Sequence, residues 1–553
     1  MALDGSATAA DIAFKVGPAN VSIGRIEAFG TPMSGEDIKS IFDGKSGATP
    51  AARLALVSVE AISIPLVTVI LDGPERVKFL IEGIAVANAG DGRLGAVSIA
   101  RIGMEMPGGR IQAGLRIGLV SSANLDLAAV LHFCCEARLD EGEARKMLFD
   151  SFDIGEIEAS DGHGTNFTLG AFAAKAVEAR TLTSVALFLG VLGLAGQDRK
   201  WTGGAMFADA SRALTIGALE FRDIALLNAA RPNEHYRLAR AALAGLREGS
   251  FDEIAFAGLD GDSGDAKIKF GALAFRGLDL RPLAILADQM AAGGGVAMRL
   301  AIPPLAHAEL AEADFDVKDT KGSGGNIARG TRDRFSVARA SYDASGHIAG
   351  VPTAARASIE HIVADFPSIG DDASLKGLLA AGYSHIDFSA SADVAWNEAA
   401  RELALKSLRL QSAGMGSVDA SLTASNVGRD LFALEPARAM AALMASALAK
   451  GEVSLANEGL FEKTMAYGAA SARKTPEEFK AMIAGAMASN LAAAFGDSQG
   501  GKAVAAAMAR FLAKPGKLTI SATAPGGIGV AELEGFRKLA ELMARLQIEA
   551  GVE

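Results

Sequence analysis

Three carboxylates in one tight turn are the most suggestive group for metal chemistry in this sequence. Asp260, Asp262 and Asp265 lie in the stretch DGDSGD, whose glycines favour a turn. Hard oxygen ligands at such spacing can hold Ca²⁺, so this ion is the one cofactor that the sequence suggests. However, the twelfth position of an EF-hand loop counted from Asp260 is Gly271, where that loop needs Glu. An acidic hairpin turn is therefore the competing interpretation.

Other reactive residue types do not form a recognisable catalytic set. Asp161 and His163 could share a proton, but no partner nucleophile is identifiable, which favours a glycine-rich turn. Cys134 and Cys135 are adjacent, a spacing that rarely forms a disulfide, and together with His132 they lack metal-ligand spacing. The sequence contains no HExxH motif, no Walker phosphate loop and no G-x-S-x-G elbow at a strand–helix junction. It therefore identifies no catalytic residue, although an enzyme with site residues dispersed over loops stays an alternative.

Composition and charge restrict the class of protein. A chain of 553 residues exceeds one compact core, so several domains or a repetitive body are expected. Half of the residues are hydrophobic and 22% are charged, which is typical of a folded chain. The net charge of -11 disfavours nucleic-acid binding, because a binder needs a basic face. Scarce aromatic residues and 63 glycines favour aliphatic strands separated by glycine turns.

One short phrase recurs along the chain. IGALEFRDIAL at residues 216–226 aligns with FGALAFRGLDL at residues 270–280, and three weaker copies precede them. Each copy alternates as a half-buried strand does, with Leu219 and Phe221 on one side and Glu220 and Arg222 on the other. The early glycine of each copy suits a bulge or a close approach of two backbones. The glycines of the five copies are Gly24, Gly95, Gly155, Gly217 and Gly271.

Helices are predicted between the strands and near the C-terminus. Ser34 and Thr475 each precede acidic residues in the pattern of a helix N-cap. The apolar stretch Leu182–Gly196 is predicted to be a buried helix, because about fifteen residues are fewer than the ~20 that span a bilayer. Further helices are predicted at Glu234–Arg247, Leu434–Ala449, Gly501–Ala513 and Ala531–Ile548.

These patterns predict an α+β protein with long, mostly antiparallel β-sheets, repeated strand-plus-helix modules and a helical C-terminal region. Residues 1–318 are expected to form a β-rich repeat body with helical inserts, and residues 319–334 a polar, glycine-rich linker or hairpin loop. Residues 335–430 are predicted to form a second β-rich region. Residues 431–553 are predicted to be mostly helical, with one late strand.

The second half of the chain carries a resemblance to a known family. Its residues include AGYSHIDFSASADVAWNEAARELALKSLRLQSAGMGSVDASLTASNV, VSLANEGLFEKTMAYGAASARKTPEEFKAMI and ARFLAKPGKLTISATAP. This phrasing resembles a family of uncharacterised exported proteins of alphaproteobacteria and, more loosely, AsmA-like and YdgA-like envelope proteins. The resemblance covers about residues 340–525 and supplies no catalytic residues. It implies a location in the cell envelope and, for the AsmA-like proteins, a long groove that holds lipid chains.

The expected function follows from these observations. The chain begins without a basic or apolar leader but reads as strands within the first thirty residues, so we expect that a targeting segment was removed from a periplasmic protein. Membrane association is expected only through that missing segment. We expect a non-enzymatic envelope protein that binds or shields a lipid-like ligand in a β-lined groove. A structural or assembly partner that docks another envelope protein is the alternative.

Overall fold

The computed structural model describes most of the chain. The described residues are 5–16, 19–42, 50–71, 76–106, 113–135, 144–180, 212–231, 233–283, 303–318, 332–365, 373–495, 498–533, 541–542 and 544–553. The predicted helix Leu182–Gly196 lies outside them, as do residues 319–331 of the predicted linker. Helix Leu127–Cys135 is described, but the side chains of His132, Cys134 and Cys135 are not.

The chain divides into two compact units. The first comprises residues 1–264 and 274–296, and the second comprises residues 265–273 and 297–553. Strand β14 (Ala266–Asp279) therefore contributes residues to both. The strands β15 (His307–Lys318) and β16 (Arg332–Ser345), on either side of residues 319–331, pair with each other from Lys318 and Arg332 onwards.

The first unit is an antiparallel meander in which consecutive strands pair, except at two places where two short strands lie in line. β6 and β7 lie in line beside β5, and β8 and β9 lie in line beside β10. Helix α1 (Gly35–Ile41) and helix α2 (Pro50–Leu54) follow β2, and helix α3 (Leu127–Cys135) follows β7. The strands are β1 Ser6–Val16, β2 Ala19–Phe29, β3 Ser58–Leu71, β4 Val77–Gly90, β5 Arg93–Glu105, β6 Gly114–Ile117, β7 Val120–Asp126, β8 Lys146–Ile154, β9 Ile157–Ser160, β10 Thr165–Ala179, β11 Leu214–Asn228, β12 His235–Arg247 and β13 Ser250–Asp262.

The second unit is also an antiparallel meander, running from β15 to β23. Its strands are β15 His307–Lys318, β16 Arg332–Ser345, β17 Ala354–Asp365, β18 His385–Asn397, β19 Glu402–Ser412, β20 Gly416–Ser425, β21 Ala447–Asn457, β22 Lys517–Gly529 and β23 Gln547–Val552. Its described helices are α4 Ala373–Ala380, α5 Pro436–Met444, α6 Leu460–Ser471, α7 Pro476–Phe495, α8 Gln499–Ala513 and α9 Val530–Leu533, with a 3₁₀ helix at Arg429–Phe432. The predicted α+β class with mostly antiparallel sheets is confirmed.

The predicted helix starts are confirmed by their hydrogen bonds. Ser34 Oγ accepts from the amide of Asp37, and Asp37 Oδ2 accepts from the amide of Ser34. Thr475 and Glu478 form the same reciprocal pair at the start of α7. Such capping boxes satisfy amide donors that the first turn leaves without partners. The sequence predicts these helix starts because a capping box depends only on two residues three positions apart.

Four secondary-structure predictions are wrong, wholly or in part. The predicted helix Leu434–Ala449 ends at Met444, and its last three residues belong to strand β21. Residues 234–247, predicted as a helix, form strand β12. Residues 431–553 contain three strands (β21 to β23) instead of one. The predicted final helix Ala531–Ile548 overlaps the short α9 at its start, but β23 begins at Gln547. In each case pairing with neighbouring strands outweighs the helical propensity of Ala, Leu and Arg.

The recurring glycines have a structural cause in left-handed residues on adjacent strands. Ala176, at φ 50°, lies opposite Gly217 between the facing pairs Lys175–Ala218 and Val177–Ile216. A Cβ on Gly217 would lie 3.0 Å from both the Cβ of Ala176 and the carbonyl oxygen of Lys175. Gly95 and Gly271 meet the left-handed residues Asn88 and Glu312 in the same way. The predicted close backbone approach is confirmed at these glycines, whereas Gly24 has open space around it.

Each left-handed position also shifts the alternation of apolar residues. On β10 the apolar residues of one face are two positions apart, except that they are three positions apart across Gly170 and across Ala176. The facing strand β11 takes the same step at Asp223 and Gly217, so the register is unchanged. An αL residue rotates the chain, and a simple alternation of period two therefore fails along these strands. The apolar residues of β10 are Phe167, Leu169, Phe172, Ala174, Val177 and Ala179.

Candidate apolar ligand-binding faces

The sheet of the first unit has one face covered by apolar side chains, which we name the first apolar face. Directly facing residues of adjacent strands point to the same side of a sheet, so their pairs trace rows across it. One such row crosses nine strands without a polar residue. All of its members are half-buried except Val120, which is buried. The row consists of Ile64, Ile84, Ile99, Val120, Ile154, Phe172, Phe221, Ala241 and Phe256.

A second row of the first apolar face contains one polar side chain. Ser122 lies between Val97 and Phe152, is buried, and donates from Oγ to the carbonyl oxygen of Ser151 at 2.8 Å. A buried hydroxyl is tolerated because this bond satisfies it. Aromatic rings reinforce the middle of the face, with the centroids of Phe172 and Phe221 4.9 Å apart.

The second unit repeats this arrangement on what we name the second apolar face. Two neighbouring rows each cross nine strands, from β15 to β23. The only polar atom on their side chains is the phenol oxygen of Tyr342, whose pKa is raised by burial. One row consists of Leu310, Ala340, Ile359, Ala390, Leu410, Val418, Leu455, Leu518 and Val552, and the other of Ala308, Tyr342, Ala357, Ala392, Leu408, Ala420, Val453, Ile520 and Ala550.

The opposite faces of both sheets are polar. In the first unit Arg101 pairs with Glu82 at 2.5 Å and Lys78 with Glu105 at 3.0 Å. In the second unit the row next to Leu310 is polar except for its last residue, which is glycine. This row consists of Glu309, Ser341, Ser358, Ser391, Arg409, Asp419, Ser454, Thr519 and Gly551. Each sheet therefore separates an apolar side from a hydrated side.

Glu220 is the most perturbed carboxylate on the polar side of the first unit. It accepts hydrogen bonds from Arg222 Nε at 3.0 Å and from Arg240 Nε at 2.7 Å. These bonds, that from Arg222 first, lower the pKa of Glu220 to about 2. The sequence prediction that Glu220 and Arg222 share the side opposite Leu219 and Phe221 is thereby confirmed. The cluster is an ion-pair network on a solvated surface.

Helix α1 encloses one end of the first apolar face. Ile38, Ile41 and Phe42 cover strand residues that include Ile26 and Ile64. A cavity of about 210 Å³ remains between the helix and the sheet. This volume is below the roughly 300–1,000 Å³ that is usual for ligand sites. The cavity therefore resembles an imperfectly filled core more than a complete ligand site.

Helices α6 and α8 cover one end of the second apolar face and leave a larger space, which we name the C-terminal pocket. Its volume is about 380 Å³, within the usual range for ligand sites. Leu410, Val418 and Leu455 form its floor and also belong to a nine-strand row of the face. The helices contribute Leu460, Phe461, Thr464 and Phe511.

Beyond the helices the second apolar face is accessible to solvent. The side chains of Leu422, Val453 and Leu455 are 40%, 48% and 38% exposed. Three large aliphatic residues at this exposure on adjacent strands form an apolar strip, whereas isolated exposed residues of this kind are ordinary. The strip is continuous with the floor of the C-terminal pocket through Leu455.

The residues predicted from sequence to bind Ca²⁺ lie at the end of β13 and beyond it. Asp262 is buried and its Oδ1 accepts from the amide of Gly264 at 2.7 Å, as in a tight acidic turn. Asp260 faces Arg237 across β12 and β13, and Asp265 belongs to the second unit, where its carbonyl accepts from the amide of Lys318. No group of three His, Cys, Asp or Glu side chains suited to a metal ion occurs within the described ranges. Ca²⁺ binding by Asp260, Asp262 and Asp265 stays a prediction from sequence.

The candidate acid–base pair forms a turn. Asp161 Oδ1 accepts from the amides of His163 at 2.7 Å and Thr165 at 2.9 Å. The side-chain bond from Thr165 and the amide of His163 lower the pKa of Asp161. This carboxylate therefore organises the backbone of the turn, as the glycine-rich sequence predicts.

Ser412 is a site residue that sequence reasoning missed. Ser412 follows Leu408 and Leu410 at alternate positions of β19. Its hydroxyl therefore lies on the apolar side of this strand, next to two leucines. It lines the C-terminal pocket, and its Oγ is buried without a hydrogen-bond partner. The alternation Leu-x-Leu-x-Ser was a visible signal, but only pairing with Phe388 and Gly416 places it in a pocket.

Comparisons with known proteins provide little further information. A family model described only as an uncharacterised protein matches residues 409–552, from within β19 to the end of β23. The sequence has no significant match among curated proteins or solved structures. In the part of the chain that the structure describes, no helix is both long enough and apolar enough to cross a membrane.

Proposed function

We propose that this protein is a non-enzymatic component of the bacterial cell envelope that binds the hydrocarbon chains of lipid-like molecules on its apolar faces. The observation that carries the proposal is the set of apolar rows, each nine strands wide and mostly half-buried. Side chains in a closed core are typically almost fully buried. Apolar rows that stay partly accessible offer a surface on which a hydrocarbon chain can be removed from water.

The energetics favour such a ligand. Burial of apolar surface contributes roughly 25 cal/mol per Å², so a chain lying along one row gains stabilisation with each methylene. The rows run from strand to strand without charged residues, so a bound chain leaves no ion without its water. The polar faces, with their ion pairs across strands, stay hydrated on the other side.

The envelope location in this proposal is supported by the resemblance of residues 340–525 to exported and AsmA-like proteins. It is independent of the apolar faces, which suit a lipid-like ligand in any compartment. Localisation with a tag placed at the C-terminus of the full-length protein in its native cell tests it. Recovery in the periplasmic or membrane fraction is expected, and recovery with cytosolic markers contradicts it.

Lipid extraction and native mass spectrometry of the purified protein test the binding itself. We expect co-purifying molecules with acyl chains. Val453→Lys places a charge on the second apolar face and should reduce the amount of bound lipid. Glu452→Lys changes the adjacent residue, whose side chain belongs to the polar face, and should leave the bound lipid unchanged. A lipid-free wild-type protein, or equal losses in both variants, contradicts the proposal.

A second candidate function is docking of another envelope protein on the apolar strip. The observation that favours it is the exposure of Leu422, Val453 and Leu455, which a protein partner could cover as well as a lipid. Affinity purification from the native envelope tests it. One partner recovered in stoichiometric amounts, and lost on Val453→Lys, supports docking.

A further inference from the structure

We propose that the C-terminal pocket seats a single fatty-acyl chain, with an oxygen of its carboxyl or ester group hydrogen-bonded to Ser412. This inference rests on the proposed function and deepens it, because it names one site and one chemical class of ligand. It is carried by the pocket volume, the apolar lining, the continuity with the second apolar face and the hydroxyl of Ser412.

The pocket has the size and lining for one flexible apolar chain. Its volume of about 380 Å³ lies near the lower end of the range for ligand sites, too small for several chains. Strand residues Leu410 and Val418 form one wall, and helix residues Phe461 and Phe511 the other. The two rings lie edge to face with centroids 5.8 Å apart, which gives the helical wall a fixed shape.

The hydroxyl of Ser412 requires a polar partner that the described residues do not provide. Its Oγ is buried and accepts or donates no hydrogen bond within the described part of the chain. A buried hydroxyl without a partner is costly, and such groups are usually satisfied by a ligand or water. Because a serine hydroxyl both donates and accepts, it can bond a carboxylate, a carboxylic acid or an ester carbonyl.

The other polar side chains around the pocket are less well placed. Gln411 and Ser417 face each other and alternate with Leu410 and Val418, so they belong to the opposite face of the sheet. Asn457 and Thr464 already have partners. Asn457 donates from Nδ2 to both carboxylate oxygens of Glu462, and its Oδ1 accepts from the amide of Phe461 at 3.0 Å. Thr464 donates to the carbonyl oxygen of Leu460 at 2.8 Å, one turn earlier in α6. Ser412 is therefore the polar side chain best placed to recognise a ligand atom in this pocket.

The apolar strip indicates how a chain reaches the pocket. Leu455 lies in the pocket lining and is also 38% exposed in the strip. A chain bound along the strip at Val453 and Leu455 can therefore extend under α6 without crossing a charged residue. The ligand can be a free fatty acid or one chain of a phospholipid, since both present the same oxygen chemistry.

Displacement of a fluorescent C16 fatty acid by palmitate tests the inference on the full chain. Ser412→Ala should weaken palmitate binding roughly three- to tenfold, the value of one hydrogen bond. It should leave the binding of hexadecane, delivered from cyclodextrin, unchanged. Ser391→Ala removes a hydroxyl from the polar face of the same sheet and should change neither. Equal palmitate affinity in wild type and Ser412→Ala overturns the assignment.

Two further variants block the pocket from opposite walls. Val418→Phe from the sheet and Thr464→Phe from α6 should each reduce palmitate binding at least tenfold, and one of them suffices if the other fails to fold. Phospholipid vesicles of dioleoylphosphatidylcholine identify the source, because lipid extraction by the wild type that both variants lose indicates a phospholipid chain. Palmitate binding without extraction indicates a free fatty acid.

The result also separates this inference from the proposed function. If Val418→Phe and Thr464→Phe fold, bind palmitate as the wild type does and also co-purify with lipid, the pocket assignment fails. Lipid binding on the apolar faces then still stands. If neither wild type nor variants bind any lipid, both proposals fail.

Discussion

The two units build the same kind of face mainly by different backbone devices, although Gly271 and the left-handed Glu312 of the second unit repeat the pairing that is frequent in the first. In the first unit, left-handed residues such as Ala176 and Asp223 lie opposite glycines, and both strands change phase together without a change of register. In the second unit, single strands carry extra residues, and the register shifts, for example between Leu405 and Leu408 of β19. The difference shows that a continuous apolar row does not require strict alternation within any one strand.

The two apolar faces also differ in the space that remains under the helices that cover one end of each. The cavity under α1 is about 210 Å³ and apolar, whereas the C-terminal pocket is about 380 Å³ and contains the hydroxyl of Ser412. The first is expected to behave as core and the second as a ligand site. Substitutions at matched positions can break or sharpen this contrast.

The largest effect is expected where a helix closes the second face. Phe511→Ala removes a ring that is 5% exposed and packs on Phe461, so it should lower the free energy of unfolding by about 3 kcal/mol. Val453→Ala, in the open strip, should cost less than about 1 kcal/mol, because that side chain is 48% exposed. Urea unfolding followed by Trp396 fluorescence in a Trp201→Phe background measures both. Equal costs would show that the strip is closed in solution.

The next effect concerns the pairing of a glycine with a left-handed residue, which is more frequent in the first unit. Gly217→Ala should lower the free energy of unfolding by about 2 kcal/mol, because its Cβ would meet Ala176 and the carbonyl of Lys175 at 3.0 Å. Hydrogen exchange of peptides from β10 and β11 measures the loss locally. Gly24→Ala is the matched control from the same recurring phrase, and with nothing within 4 Å it should be neutral or slightly stabilising. A neutral Gly217→Ala contradicts the close approach as the reason for the repeat.

The strand at residues 235–247, where the sequence predicts a helix, shows which feature of the fold one strand's sequence does not reveal. Its apolar residues on the first apolar face advance by two, three, two and three, and this spacing is typical of a helix. The first step of three falls at Ala239, which meets the left-handed Gly258 on the neighbouring strand β13, and the second falls at Gly245, which is itself left-handed. The cause at Ala239 is non-local, and the sequence of β12 alone does not contain it. The five positions are Tyr236, Leu238, Ala241, Leu243 and Leu246.

The features that the sequence predicts correctly depend on nearby residues or recur along the chain. The caps at Ser34 and Thr475 need residues three apart, and the sides of Glu220 and Phe221 follow from a short alternation that no left-handed residue interrupts. The C-terminal pocket could not be predicted, because Ser412 meets Val418, Phe461 and Phe511 only through pairing and helix packing. The candidate site therefore depends on tertiary contacts more than the fold class does.

A smaller effect tests the enclosed cavity of the first unit. Ala28→Val adds volume toward the space under α1 and should raise the free energy of unfolding by about 1 kcal/mol. Ala7 faces Ala28 across β1 and β2 but does not line the cavity, so Ala7→Val should instead cost about 1–3 kcal/mol by overpacking. Hydrogen exchange of β2 and β3 peptides measures both. If Ala28→Val removes bound lipid without stabilising the unit, the cavity is a ligand site and the contrast between the two ends fails.

The smallest effect is expected on the polar face of the first unit. The pKa of Glu220 is lowered to about 2 by its hydrogen bonds to Arg222 and Arg240, whereas an unpaired Glu titrates near 4.5. Its contribution to stability is therefore complete above about pH 4.5 and is lost as the pH falls through about 2. Because the side chains are partly solvated, Glu220→Gln should cost at most about 1 kcal/mol at pH 7. Urea unfolding from pH 7 to pH 2 should show the difference between wild type and Glu220→Gln vanishing across that window. In an Arg222→Gln/Arg240→Gln background the same substitution should have no such pH dependence, and if the dependence persists there, the arginines are not its cause.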